Sequence, residues 1–133
     1  MDNSEAKKIL IVDDEPDVVA YLITFFEDNG FATTSALDGK EGFAKAVTER
    51  PDLITLDITM PEESGVRMYR DLQRSQITAN IPVIIITGIS SDFKGFIESR
   101  KQVAPPAGYF EKPIDKDKLL AKIREILKMS DER

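Results

Sequence analysis

Residues 9–16, ILIVDDEP, set four branched apolar side chains against three consecutive acids. An apolar run of this length, which starts at Lys8 as KILIV, is the signature of a strand buried on both faces, as in parallel sheets. A buried strand that ends in a clump of like charges works against its own stability unless those charges hold something. The octapeptide thus poses the fold and the site together.

Outward from it, apolar runs alternate with amphipathic segments. In EPDVVAYLITFFEDNG, Val18, Val19, Leu22, Ile23 and Phe26 recur at helical spacing, Pro16 suits a first turn and Gly30 a stop. FATTSA (31–36) is β-rich with a weaker apolar signal, and DGKEGFAKAVTER predicts a helix presenting Phe43, Ala44 and Val47, stopped by Pro51. LITLD (53–57) is a second buried strand, 64–76 a helix with Val66, Tyr69 and Leu72 on one face, and IPVIIIT (81–87) the strongest strand. Residues 90–106 are expected to carry a fourth helix with Phe93, Phe96 and Ile97, ended by Pro105 and Pro106. AGYFEKP contains the last strand, and DKDKLLAKIREILKM is an amphipathic helix turning Leu119, Leu120, Ile123, Ile126 and Leu127 inward. Five strands alternating with five helices, without a low-complexity linker, predict an α/β fold: one doubly wound parallel sheet with helices on both faces.

Composition narrows the function. A chain of 133 residues fits one domain, and 41% hydrophobic with 32% charged residues is ordinary for a soluble globular protein. No apolar run could span a bilayer and MDNSEAKK is polar, so a cytoplasmic location is expected. The absence of Cys excludes thiolate metal sites and a disulfide framework. The absence of His removes the commonest general base, the usual zinc ligand and any phosphohistidine on this chain. A net charge of −6 argues against direct nucleic-acid binding and points to protein partners or a hard metal ion.

In an open parallel α/β sheet, ligands bind beyond the carboxyl ends of the strands. There the first strand delivers Asp13 and Asp14, the third Asp57, the fourth Thr87 followed by Gly88, and the fifth leads into Lys112–Pro113. Three carboxylates against one ammonium leave a surplus of two negative charges, which suits one divalent cation. All-oxygen ligation selects Mg²⁺, Mn²⁺ or Ca²⁺, and an incomplete ligand set with room for water and a phosphoryl oxygen favours Mg²⁺. Asp57 could then act as a nucleophile and form an aspartyl-phosphate. Thr87 would donate to one phosphoryl oxygen, Lys112 would pair with another, and Gly88 would leave space. Taken singly, each residue has a plainer reading. Asp14 or Asp17 could cap the first helix, Thr87 could be a β-former, Tyr109 edge packing, and Lys-Pro a loop dipeptide. Glu15 reads as a residue that favours the start of the first helix through its dipole, outside the site.

Five motifs in register carry a resemblance: VDDE with Asp13 and Asp14, LDITMP with Asp57, SG ending at Gly65, IIITG with Thr87, and YFEKP with Lys112–Pro113. Over roughly 7–128 the chain resembles a response-regulator receiver domain of two-component signalling, the stand-alone chemotaxis type being nearest in architecture. The resemblance implies a (βα)5 flavodoxin-like fold with strand order 2-1-3-4-5, and a single receiver domain over 1–133. It implies that Asp57 is the phosphoacceptor, that Asp14 and Asp57 ligate Mg²⁺ (or Mn²⁺) directly, that Asp13 does so directly or through water, and that the Thr59 backbone carbonyl completes the protein ligands. Thr87 and Tyr109 match the family's switch pair, Lys112 its phosphate-sensing cation, and Lys112–Pro113 its cis peptide. Thr59 and Ile89 hold the positions that modulate phosphoryl lifetime; neither is ionisable, which implies slow self-dephosphorylation. The stretch from Thr87 to Lys112 is longer than usual and carries Pro105–Pro106. It bears on the face of fourth helix, fifth strand and fifth helix, through which the family signals or dimerises.

The expected function is a phosphorylation-activated switch, not an enzyme beyond its own phosphorylation and slow dephosphorylation. It would be charged by a sensor histidine kinase or histidine phosphotransfer protein, acting on an unidentified downstream protein, with a phosphorylation-dependent homodimer as one output mode. Two other classes are weighed. A phosphohydrolase with an aspartyl nucleophile, of the haloacid dehalogenase type, would place a second acid two residues after Asp57, where this chain has Thr59. A flavodoxin-like cofactor carrier would cradle phosphate after the first strand, where DDEP would repel it. A complete single-domain regulator and a receiver cut from a longer protein both fit.

Overall fold

Alternation along each strand decides which layer each side chain joins. Leu10, Val12, Ile54, Leu56, Val83 and Ile85 point to one face, while Ile9, Ile11, Leu53, Ile84 and Ile86 point to the other. The computed structural model describes residues 6–88 and 105–129. The strands are β1 (Lys8–Val12), β2 (Ala32–Ala36), β3 (Leu53–Asp57), β4 (Val83–Thr87) and β5 (Gly108–Glu111). They form one sheet in the order β2-β1-β3-β4-β5, every neighbouring pair parallel. The expected α/β doubly wound fold and strand order are what the chain adopts.

Helix α1 (Pro16–Asp28) and helix α4 (Lys116–Ile126) cover one face. Val19, Leu22 and Phe26 of α1 and Leu119 and Ile123 of α4 complete its core. Helices α2 (Gly39–Glu49) and α3 (Ser64–Arg74) cover the other, through Ala46 of α2 and Met68, Tyr69 and Leu72 of α3. β3 and β4 are buried along their whole length, which is why both read as unbroken apolar runs. β2 is only partly buried, in keeping with its weak signal and its place at the sheet edge.

Local signals act where the sequence puts them. Pro16 opens α1, and Gly30 turns the chain after it with φ of +93°. The Asp38 side chain caps α2 by accepting from the Glu41 N–H, and that of Asp115 caps α4 by accepting from the Lys118 N–H. The buried face of α2 differs from expectation. It is set by Gly39, Gly42 and Ala46 with Phe43 partly buried, while Ala44 is exposed. Close packing on Met68 and Val12 demands small residues there and turns Ala44 outward. A short 3-10 turn (Pro61–Glu63), unforeseen in the sequence, leads into α3. The fourth helix expected over 90–106, with Phe93, Phe96 and Ile97, and the residue Ile89 lie outside the described residues.

Candidate functional site

Parallel register brings the strand-end residues level. Val12 pairs with Leu56, so Asp13 and Asp57 emerge side by side from β1 and β3. Asp57 pairs with Ile86 of β4, and Thr87 follows one step on, pairing with Glu111 of β5. The Lys112 N–H donates to the Thr87 carbonyl at 2.8 Å, which ties the start of the β5–α4 loop to the end of β4. Lys112–Pro113 is cis, as expected. Residues 99 positions apart in sequence thereby share one edge.

Asp13 and Asp57 are each only 2% exposed, whereas Asp14 is exposed. One carboxylate oxygen from each of the three lies within 4.8 Å of the other two. This all-oxygen set fits a hard divalent cation and suits neither zinc nor copper. Asp57 is held from both sides. Its Oδ1 accepts from the Thr59 N–H at 2.8 Å and from the Thr59 hydroxyl at 2.6 Å, and its Oδ2 accepts from Lys112 Nζ at 3.1 Å. Lys112 Nζ also lies 3.1 Å from Asp13 Oδ2 and 2.8 Å from Glu15 Oε1.

Burial, and after it the adjacent Asp57 charge, lifts the Asp13 pKa to about 6, against the lowering pull of the Glu15 N–H and of Lys112. For Lys112, burial works to lower the pKa, but hydrogen bonds to Glu15, Asp57 and Asp13 outweigh it and raise the value, so the ammonium persists at any physiological pH.

Thr87 is buried at the strand end, and Tyr109 is half-buried against the α2/α3 side of the sheet. Among the described residues, a Cβ added to Gly88 would meet nothing nearer than Thr59 Oγ1 at 4.0 Å, which leaves the expected space beside Asp57. Gly65 has the opposite surroundings. A Cβ there would overlap the Asp57 carbonyl oxygen and sit 2.9 Å from Ile58 Cα, so α3 packs tightly on the loop after β3.

Two contacts go beyond the sequence reading. Glu15 does not stand outside the site: its backbone forms the N-cap of α1 with no side-chain cap, and its carboxylate reaches across to Lys112. The physical reason is that its backbone alone serves the helix, with its carbonyl accepting from the N–H groups of Val18 and Val19, which leaves the side chain for the nearest cation. By the same token neither Asp14 nor Asp17 provides the cap. Thr59, expected to act through its carbonyl, also donates its hydroxyl to Asp57.

This geometry defines a class of protein. The chain matches the family model of the response regulator receiver domain over residues 9–124, and it belongs to that family. It is 34% identical over 127 residues to the DNA-binding dual master transcriptional regulator RpaA of Synechocystis sp., covering 93% of this chain and 50% of RpaA. It is 35% identical over 120 residues to protein PilH of Pseudomonas aeruginosa, covering 90% of this chain and 97% of PilH. Among solved structures, a CheY-like response regulator receiver domain from Methanospirillum hungatei superposes with a TM-score of 0.80 at 27% identity, over 93% of this chain and 95% of that one. The chain thus spans about half the length of the first curated relatives it matches, and nearly all of PilH.

As a receiver domain the chain is a phosphorylation-activated switch of two-component signalling, and the family implies a histidine kinase or phosphotransfer protein upstream. Receiver domains bind Mg²⁺ through acidic residues, and an acidic cluster of that kind is present. Among the described residues no helix is long and apolar enough to cross a membrane.

Proposed function

We propose that Asp57 accepts the phosphoryl group. The observation that carries this reading is its placement: a buried carboxylate with a lysine ammonium 3.1 Å away and two further acids beside it. A carboxylate oxygen of Asp57 attacks the phosphorus of a phosphohistidine on the partner. The P–N bond breaks, its electron pair stays on the imidazole, and an acyl phosphate forms on Asp57. Asp13, Asp14, Asp57 and the Thr59 backbone carbonyl would hold Mg²⁺, with Mn²⁺ as the substitute. When bound, the ion neutralises charge on the carboxylates and on the incoming phosphoryl oxygens. Lys112 donates to one phosphoryl oxygen and Thr87 turns its hydroxyl to another. Tyr109 moves inward with it, and the shift reaches the surface formed by β5 and α4.

The chain on this reading is one receiver domain, cytoplasmic, and turns over nothing but its own acyl phosphate. It acts on an unidentified downstream protein, directly or as a phosphorylation-dependent homodimer, without binding nucleic acid itself. The test is incubation with acetyl phosphate and Mg²⁺ followed by intact mass analysis. The wild type is expected to take up one phosphoryl group per chain and Asp57→Asn none; equal uptake by Asp57→Asn would remove Asp57 from its role. Multiple turnover of a generic phosphate ester would speak for a hydrolase instead.

A further inference from the structure

Three carboxylates crowd the Lys112 ammonium, Asp13 at 3.1 Å, Asp57 at 3.1 Å and Glu15 at 2.8 Å, and Nζ donates hydrogen bonds to Asp57 and Glu15. A phosphoryl oxygen arriving at Asp57 must share this ammonium with the carboxylates that remain around it. The three are not equivalent. Asp57 gives up its own charge when it is acylated, whereas the Asp13 side chain is only 3% exposed, so leaving it without a cation strands a charge where water cannot solvate it. The Glu15 side chain is 59% exposed and passes back into water when released. An exposed ion pair is worth no more than about fivefold in an equilibrium, so its loss is the milder of the two.

We propose that Glu15 is a positioning residue that competes with the phosphoryl group for Lys112. It holds the ammonium in the unphosphorylated chain and yields its place when a phosphoryl oxygen arrives. The proposal rests on the reading of Asp57 as acceptor and Lys112 as its cation. Glu15 is suited to it because its backbone is fixed independently of its side chain. Its N–H donates to Asp13 Oδ1 at 2.9 Å, its carbonyl receives the first helical N–H groups of α1, and Pro16 follows. A change of side chain therefore leaves the helix start in place.

Beryllofluoride adds to a carboxylate as a tetrahedral phosphoryl mimic, and its affinity can be measured by calorimetry at saturating Mg²⁺. Wild type, Glu15→Gln and Glu15→Asp would be compared. The first variant removes the charge; the second keeps it but draws the carboxylate back by one methylene. Both are expected to bind about three- to fivefold more tightly than wild type, with the difference closing as salt rises from about 0.05 to about 0.5 M. Tightening in Glu15→Gln alone would mean that net charge acts at a distance, and the contact is then irrelevant. No tightening in either variant overturns the proposal equally. A wild type that binds no beryllofluoride would instead sink the assignment of Asp57, which separates the two failures.

Discussion

Asp13 carries a proton and a cation site in competition. Its pKa is raised to about 6 by burial and by Asp57, so the carboxylate is charged at pH 7.5 and largely protonated at pH 5. A divalent ion needs the charged form, and the apparent Mg²⁺ affinity should fall about tenfold between those pH values. Calorimetric titration at both pH values checks this, and an affinity unchanged at pH 5 would show that Asp13 is not a ligand. At this scale the sequence was informative about acids and about Lys112, because residue type and strand-end position suffice to place them. It was silent on the Glu15–Lys112 contact and on the Thr59 hydroxyl. Both depend on distances between side chains that no local pattern encodes. The one available clue was valence: an ammonium with three donors beside only two buried acids leaves room for a third acceptor.

Elements were legible in proportion to how fully they are buried. β1, β3 and β4 carry unbroken apolar runs and were read to within two residues. The inward face of α2 was misplaced because two of its three buried residues are glycines, which contribute no hydrophobic signal. The close seat of α3 on the loop after β3 belongs to this scale as well. Gly39 donates its N–H to Ser64 Oγ at 2.5 Å, joining the start of α2 to the start of α3, and Gly65 lets α3 rest on the Asp57 carbonyl. Gly65→Ala places a methyl against backbone atoms that cannot rotate away, so it should cost about 1–3 kcal/mol. Urea unfolding measures that cost. Uptake from acetyl phosphate should slow as well, since the displaced backbone is that of Asp57. A variant as stable as wild type would mean that the seat is looser than it looks.

The molecule as a whole tolerates its acidic edge because two apolar layers outweigh it. Each fully buried Leu, Ile or Phe contributes roughly 1.5–3 kcal/mol, and both faces of the sheet are lined with them. The cost at the edge is measurable nonetheless. Folding raises the Asp13 pKa above its ordinary 3.8, so the folded chain favours the protonated acid. Any stabilisation from this group is present at low pH and lost as pH rises through 6. At pH 7.5 the charged carboxylate is therefore a liability, and Asp13→Asn should stabilise the metal-free protein by about 1 kcal/mol while weakening Mg²⁺ binding. Denaturant unfolding with and without Mg²⁺ tests both halves, and a destabilised Asp13→Asn at pH 7.5 would refute the first.

β5 occupies an outer position in the sheet, beside β4, and Lys112 sits immediately beyond its last residue. A strand held from one side can peel away while the remainder stays assembled. With it would go the only positive charge among the described strand-end residues, leaving Asp13 and Asp57 to face each other bare. A molecule with β5 alone undocked would still count as folded by a global probe while lacking the cation beside Asp57. Readiness to receive a phosphoryl group thus depends on the docking of four residues, Gly108–Glu111, as well as on the stability of the domain.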